Sequence, residues 1–204
     1  FINAKNHREI AFTESATQAW QRIFYSIPLT ERDRVFLFQN EYVSLYVALL
    51  QRQQRTGCII DIIPSDAQGN IDLEHFKNKM GPDVKMVLLG HMPTQSGQLS
   101  PAEAVGEIVK DYPAIYILDA TQTIGQYPVD VQKINCDALC ATGRKFLRAP
   151  RGTGFLYVKE ELANSLEPSM IDLQGADWVS PSQYQIVPGC QRFETWEHSV
   201  SLKL

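Results

Sequence analysis

A carboxylate and an amine occupy matching places in this sequence. Asp119 directly follows the apolar run AIYIL, and Lys145 follows a second apolar run at 138–141. If both runs are strands of one sheet, the two groups stand at the same edge and can face one molecule from separate loops. Arg144, Arg148 and Arg151 flank Lys145, and like charges of this kind favour a neutral, nucleophilic amine. A third group of residues, Ser15, Ala16 and Thr17, lies between a short apolar run and a helical stretch. Backbone N–H groups at such a helix start can receive an anion. Taken singly, each feature has an ordinary reading: Asp119 as a turn or capping residue, and the basic run as a solvated turn.

The elements that must position these groups alternate along the chain. Apolar runs rich in β-branched residues fall at 34–39, 58–63, 84–89, 114–118, 138–141 and 154–158. Helical stretches fall at 16–25, at 41–55 with apolar positions Val43, Val47 and Leu50, at 72–79, and at 101–110, with Ser100 as N-cap and Pro101 in the first helical position. This alternation predicts an α/β fold with a mostly parallel sheet. Runs as continuously apolar as AIYIL and MVLL further predict helices on both faces. Segment 165–189, with three prolines, reads as a long loop.

Composition excludes several function classes. With 204 residues, 44% of them apolar and a net charge of −4, the chain can bury a core but carries no cationic field for nucleic acid or an anionic membrane. No run reaches the 18 apolar residues of a membrane span and no signal peptide opens the chain, so a cytosolic protein is expected. The four cysteines read as buried free thiols, because the spacing of Cys136 and Cys140 lacks a second pair to complete a zinc site, and no metal is expected. Gly152-Thr153-Gly154 precedes a strand instead of following one, against a dinucleotide fingerprint.

Several motifs, in order, carry a family resemblance. LDATQTIGQYPVD (118–130), TGRKFLRAPRGTGFLYV (142–158) and HMPTQSG (91–97) resemble segments of the class V aminotransferases, pyridoxal-phosphate enzymes of fold type I. The resemblance runs from the turn at Phe12 to Glu194 and implies a seven-stranded sheet. It assigns Asp119 to the protonated pyridine nitrogen, where a carboxylate keeps the ring able to accept electrons. Gln122 would bond the ring's phenolic oxygen. Lys145 would attach the cofactor covalently and, once released, remove or return the substrate Cα proton. Ser15, Ala16, Thr17, Thr142 and Arg144 would hold the phosphate, with Arg144 standing where the family often has histidine. Tyr42 would stack on the ring and Thr94 would lie beside it.

Two of these positions bear on the reaction. Tyr42 offers an aromatic face and a hydroxyl where desulfurases of the family carry a histidine able to relay protons, and Thr94 stands where they carry asparagine. The resemblance therefore implies a C–S lyase acting on cysteine or a cysteine conjugate by Cα deprotonation and β-elimination. An epimerase, a desulfurase and a transaminase share the same site, and a non-catalytic domain with an assembly role is the alternative of another class. Residues 1–204 would be the cofactor-binding large domain with both flanks and the small carboxy-terminal domain missing. A homodimer is expected by analogy of fold. His91 reads equally as a structural and a site residue, Trp196 as core or interface, and Cys190 as packed.

Overall fold

The structure, a computed structural model, describes residues 1–203. In chain order the elements are β1 (Ile10–Thr13), α1 (Ala16–Ser26), β2 (Arg34–Phe38), α2 (Val43–Thr56), β3 (Ile59–Ile63), α3 (Leu73–Lys79), β4 (Val84–Gly90) and α4 (Ala102–Val109). They continue with β5 (Ile115–Asp119), α5 (Val131–Ile134), β6 (Ala138–Thr142), β7 (Gly154–Val158), α6 (Glu160–Ser165), β8 (Ala176–Ser180), β9 (Gln183–Ile186) and α7 (Val200–Lys203). Seven strands form one sheet in the order β1-β7-β6-β5-β4-β2-β3. Only β7 runs against its neighbours β1 and β6, so the expected mostly parallel α/β sheet is present.

Each face of the sheet carries its own core, because successive strand residues point to opposite sides. Val35 and Leu37 of β2 pack with Trp20, Ile23 and Phe24 of α1 and with Leu45 and Leu49 of α2. Phe36 and Phe38 pack on the other side with Phe76 of α3 and Val105 of α4. The same alternation sends Leu88 of β4, Ile117 of β5 and Cys140 of β6 toward α1 and α2. Gly90, Asp119 and Thr142, each two residues further on, therefore face the α1/α2 side at the carboxyl edge of the sheet.

Four expectations need correction. The apolar positions Val43, Val47 and Leu50 of α2 are exposed, and the helix buries Leu45, Ala48 and Leu49 instead. Pro101, not Ser100, is the cap residue of α4; the Ser100 hydroxyl donates to the Gly90 carbonyl at 2.8 Å. Segment 165–189 is not one long loop, because it contains the antiparallel hairpin β8–β9. The hairpin strands are largely exposed, so no alternation of apolar and polar residues signals them. Trp196 is 58% exposed and is not a core residue.

Arg192 anchors the chain on either side of that hairpin. Its buried guanidinium donates to the carbonyls of Val187 (3.1 Å), Gly189 (3.2 Å) and Leu166 (2.8 Å), and to Asn164 Oδ1 (3.1 Å). Arg192→Ala strands these acceptors away from water, so a loss of about 3 kcal/mol is expected. A shift of the urea unfolding midpoint at constant slope measures it. The four cysteines are free and buried. The Cys190 thiol donates to the Val158 carbonyl at 3.4 Å, and burial pushes its pKa up to about 12, so it is packed and unreactive.

Candidate active site

The carboxyl ends of β1, β2, β4, β5 and β6 and the start of β7 converge at one edge of the sheet. Register fixes this: Gly90 pairs with Asp119, Asp119 with Cys140, and Thr142 with Gly154. Helix α1 begins immediately after β1, with Ser15 at its N-cap accepting from the Gln18 N–H at 3.2 Å. The next N–H groups of such a helix have no partner within it. Tyr42 is the residue before α2 and carries no side-chain cap bond, which leaves its ring available to the space beyond.

That space is a cavity of about 200 Å³. Ser15, Ala16, Thr17, Tyr42, Thr94, Asp119, Gln122, Thr142, Arg144 and Lys145 all line it. These ten residues, the ones the sequence assigned to cofactor binding and catalysis, thus meet on one concave surface, with the acid and the amine lining the same cavity, while Arg148 and Arg151 do not line it. Gln122 Nε2 donates to Thr94 Oγ1 at 2.9 Å, joining the loops that follow β5 and β4. The Thr142 hydroxyl donates to the Thr153 carbonyl at 3.2 Å, which braces the Lys145 loop from within.

Asp119 is held rigidly. Its Oδ1 accepts from the Thr121 N–H at 2.9 Å. Burial pushes its carboxyl up from the ordinary range, and that hydrogen bond opposes the shift. No ion pair to Asp119 occurs among the described residues. Its turn is clamped against the lysine loop through Gly125, at φ +92°, where a Cβ would lie 2.6 Å from the Phe146 carbonyl oxygen. Any side chain at Gly125 would collide with the backbone of Phe146 and Leu147 in the lysine loop.

Other residues belong to the site or leave it. His91 does not line the cavity. It is buried, with Nδ1 3.0 Å from Thr123 Oγ1 and its ring edge-on to Tyr127, and burial pushes its imidazole down to about 4. Its backbone N–H donates to the Asp119 carbonyl at 2.9 Å, so its role is structural. Sequence reasoning missed Trp20 and Glu41, both of which line the cavity. Trp20 carries no signal beyond its place one turn into α1. Glu41 stands between an apolar strand and an amphipathic helix, a place that does not by itself reveal its burial.

The donor set fits a flat, phosphorylated, nitrogen-containing ring. A carboxylate lacking a cationic partner suits a protonated ring nitrogen, an aromatic side chain supplies a stacking face, and a helix start with an arginine beside it suits a phosphate. Lys145 supplies an amine to the same cavity.

Comparison with known proteins places these observations. The family model "Aminotransferase class-V" matches residues 1–196. A probable cysteine desulfurase of Synechocystis sp. is 36% identical over 171 residues, covering 82% of this chain and 40% of that protein. The apo structure of a cysteine desulfurase from Thermococcus onnurineus superposes with a TM-score of 0.88 at 26% identity, covering 97% of this chain and 50% of that one. A cystine C–S lyase in complex with its reaction product cysteine persulfide superposes with a TM-score of 0.86 at 20% identity, over 95% of this chain and 52% of the other. At that identity the likeness is one of fold. The chain spans about half the length of the relatives it matches or less.

Proposed function

The chain belongs to the class-V aminotransferase family, and from that membership we propose a pyridoxal 5′-phosphate-dependent enzyme that acts on cysteine or a cysteine conjugate. In this reading residues 1–204 are its cofactor-binding large domain. The observation that carries the reading is the convergence of Asp119 and Lys145, from separate loops, on one cavity that also receives the start of α1. When bound, the cofactor supplies an electron sink next to the substrate Cα.

The residues then divide the work. Asp119 holds the ring nitrogen in its protonated state, and the fixed Thr121 N–H keeps that carboxylate aimed. Ser15, Ala16, Thr17, Thr142 and Arg144 bind the phosphate end. Tyr42 covers one ring face, and the Thr94–Gln122 pair fixes the ring's oxygen side. Lys145 would take the Cα proton and a β-thiolate would leave as a thiol; addition of one water molecule to the remaining dehydroamino acid would then give a keto acid and ammonia.

Tyr42 supports simple elimination over persulfide transfer, because a phenol in the stacking position lacks the imidazole's ability to relay protons near neutral pH. Similarity to the Synechocystis protein, a probable cysteine desulfurase, supports the second reading, desulfuration. A two-fold homodimer belongs to the same proposal. The exposed stripe Val43, Val47 and Leu50 on α2, which begins beside the cavity, supports it.

Adding pyridoxal phosphate to the full-length protein should produce an absorbance band at the visible edge. Incubation with a panel of cysteine derivatives should then release keto acid and thiol in equal amounts. Persulfide transferred to a protein thiol would establish desulfuration, racemised substrate an epimerase, and a protein that stays colourless would sink the enzymatic reading.

A further inference from the structure

We propose that Glu41 is a resident neutral carboxylic acid of the candidate site, a positioning residue that leaves Asp119 as the charged carboxylate of the cavity floor. Gly90, at the tip of β4, has no side chain, and the Glu41 carboxyl fills the space a side chain would take. Glu41 Oε1 accepts from the Gly90 N–H at 2.6 Å, and Oε2 lies 2.8 Å from where a Gly90 Cβ would be. Gly90 is the register partner of Asp119. Residues in register on neighbouring strands point to the same face, about 4.8 Å apart. The two carboxyl groups are therefore neighbours across one strand spacing, on the cavity side of the sheet.

Two negative charges so placed, both withdrawn from water, repel strongly. Glu41 is the more deeply buried, and its Oε2 has no hydrogen-bond partner among the described residues. An ionised carboxylate with one oxygen left bare is costly, whereas a protonated one is tolerated. The other titratable groups in its surroundings are Cys140 of β6, Tyr116 of β5 and Tyr46 of α2, with Arg144 and Lys145 lining the same cavity. No ion pair joins Glu41 to either cation among the described residues. In keeping with this geometry, burial pushes the Glu41 carboxyl up to about 8, the charge of Asp119 adds to the shift, and the Gly90 N–H opposes it.

The consequence for the site is twofold. Glu41 ties the segment after β2 to the tip of β4 and so fixes the backbone of the adjacent Tyr42. It also reserves Asp119 for a cationic ring nitrogen. This last role rests on the cofactor reading above, but the proton on Glu41 does not.

The infrared spectrum of the full-length protein, recorded before pyridoxal phosphate is added, tests the proton. Near neutral pH the wild type should show a protonated carboxyl stretch that is absent in Glu41→Gln and fades as pH rises through about 8. In Asp119→Asn the band should persist, with its midpoint moved to lower pH. The stability profile gives an independent readout. A carboxyl raised in the folded state binds more protons folded than unfolded, so its contribution falls as pH climbs from about 4.5 to about 8. Glu41→Gln should flatten that fall.

A wild type without the band, or a band that survives Glu41→Gln, would overturn the proposal. Should Glu41→Gln not fold, a band midpoint unmoved in Asp119→Asn would overturn it instead. A colourless protein that nevertheless shows the band refutes the cofactor reading alone.

Discussion

Lys145→Ala should lower turnover by about 10⁴-fold, the upper end of what loss of a general base removes, equivalent to about 5 kcal/mol of barrier. The expectation follows from position. Lys145 is the lysine that lines the cavity together with Asp119, and the bracing bond from Thr142 to the Thr153 carbonyl holds its loop in place. The variant should still bind pyridoxal phosphate without covalent attachment, because the donors for phosphate and ring remain. Borohydride reduction followed by mass spectrometry should find the cofactor's mass on wild-type protein and not on the variant. Attachment at another lysine in the variant would refute the assignment.

Asp119→Asn should preserve covalent attachment and still lower turnover by about 10²–10³-fold, the range for removing one preorganised electrostatic stabiliser. Asparagine keeps the shape and can still accept from the Thr121 N–H that holds Asp119 Oδ1 at 2.9 Å. What it loses is the charge that keeps a ring nitrogen protonated. The two variants thus separate the roles: one loses the covalent bond, the other keeps it and loses the electron sink. An Asp119→Asn enzyme with wild-type turnover would remove Asp119 from the chemistry. Steady-state assay of keto acid release, with the absorbance band as a control for occupancy, makes the measurement.

The parts of this fold legible in the sequence are those where burial and period coincide. Runs such as MVLL and AIYIL announce themselves because β4 and β5 are covered on both faces. Once those strands are placed, the positions after them mark the site. That is why Asp119 and Lys145 are readable by position, whereas Thr94 is legible only through the family resemblance of HMPTQSG; all three line one cavity.

The failures have a physical cause as well. Val43, Val47 and Leu50 make a helical stripe as apolar as the one α2 buries, and periodicity alone does not say which face meets the sheet. The hairpin β8–β9 has Trp178 and Tyr184 exposed on paired strands, so the two-residue alternation of a half-buried strand never forms. Glu41 escaped notice because its burial depends on a missing side chain 49 residues further on, at Gly90. A relation between one residue and the smallness of another is invisible to any local pattern.

The seam at Gly125 constrains any redesign of this pocket. The turn bearing the acid and the loop bearing the amine touch main chain to main chain, with 2.6 Å between a would-be Cβ and the Phe146 carbonyl oxygen. The two segments behave as one graft: moving either into another scaffold without its counterpart would discard the spacing on which both depend.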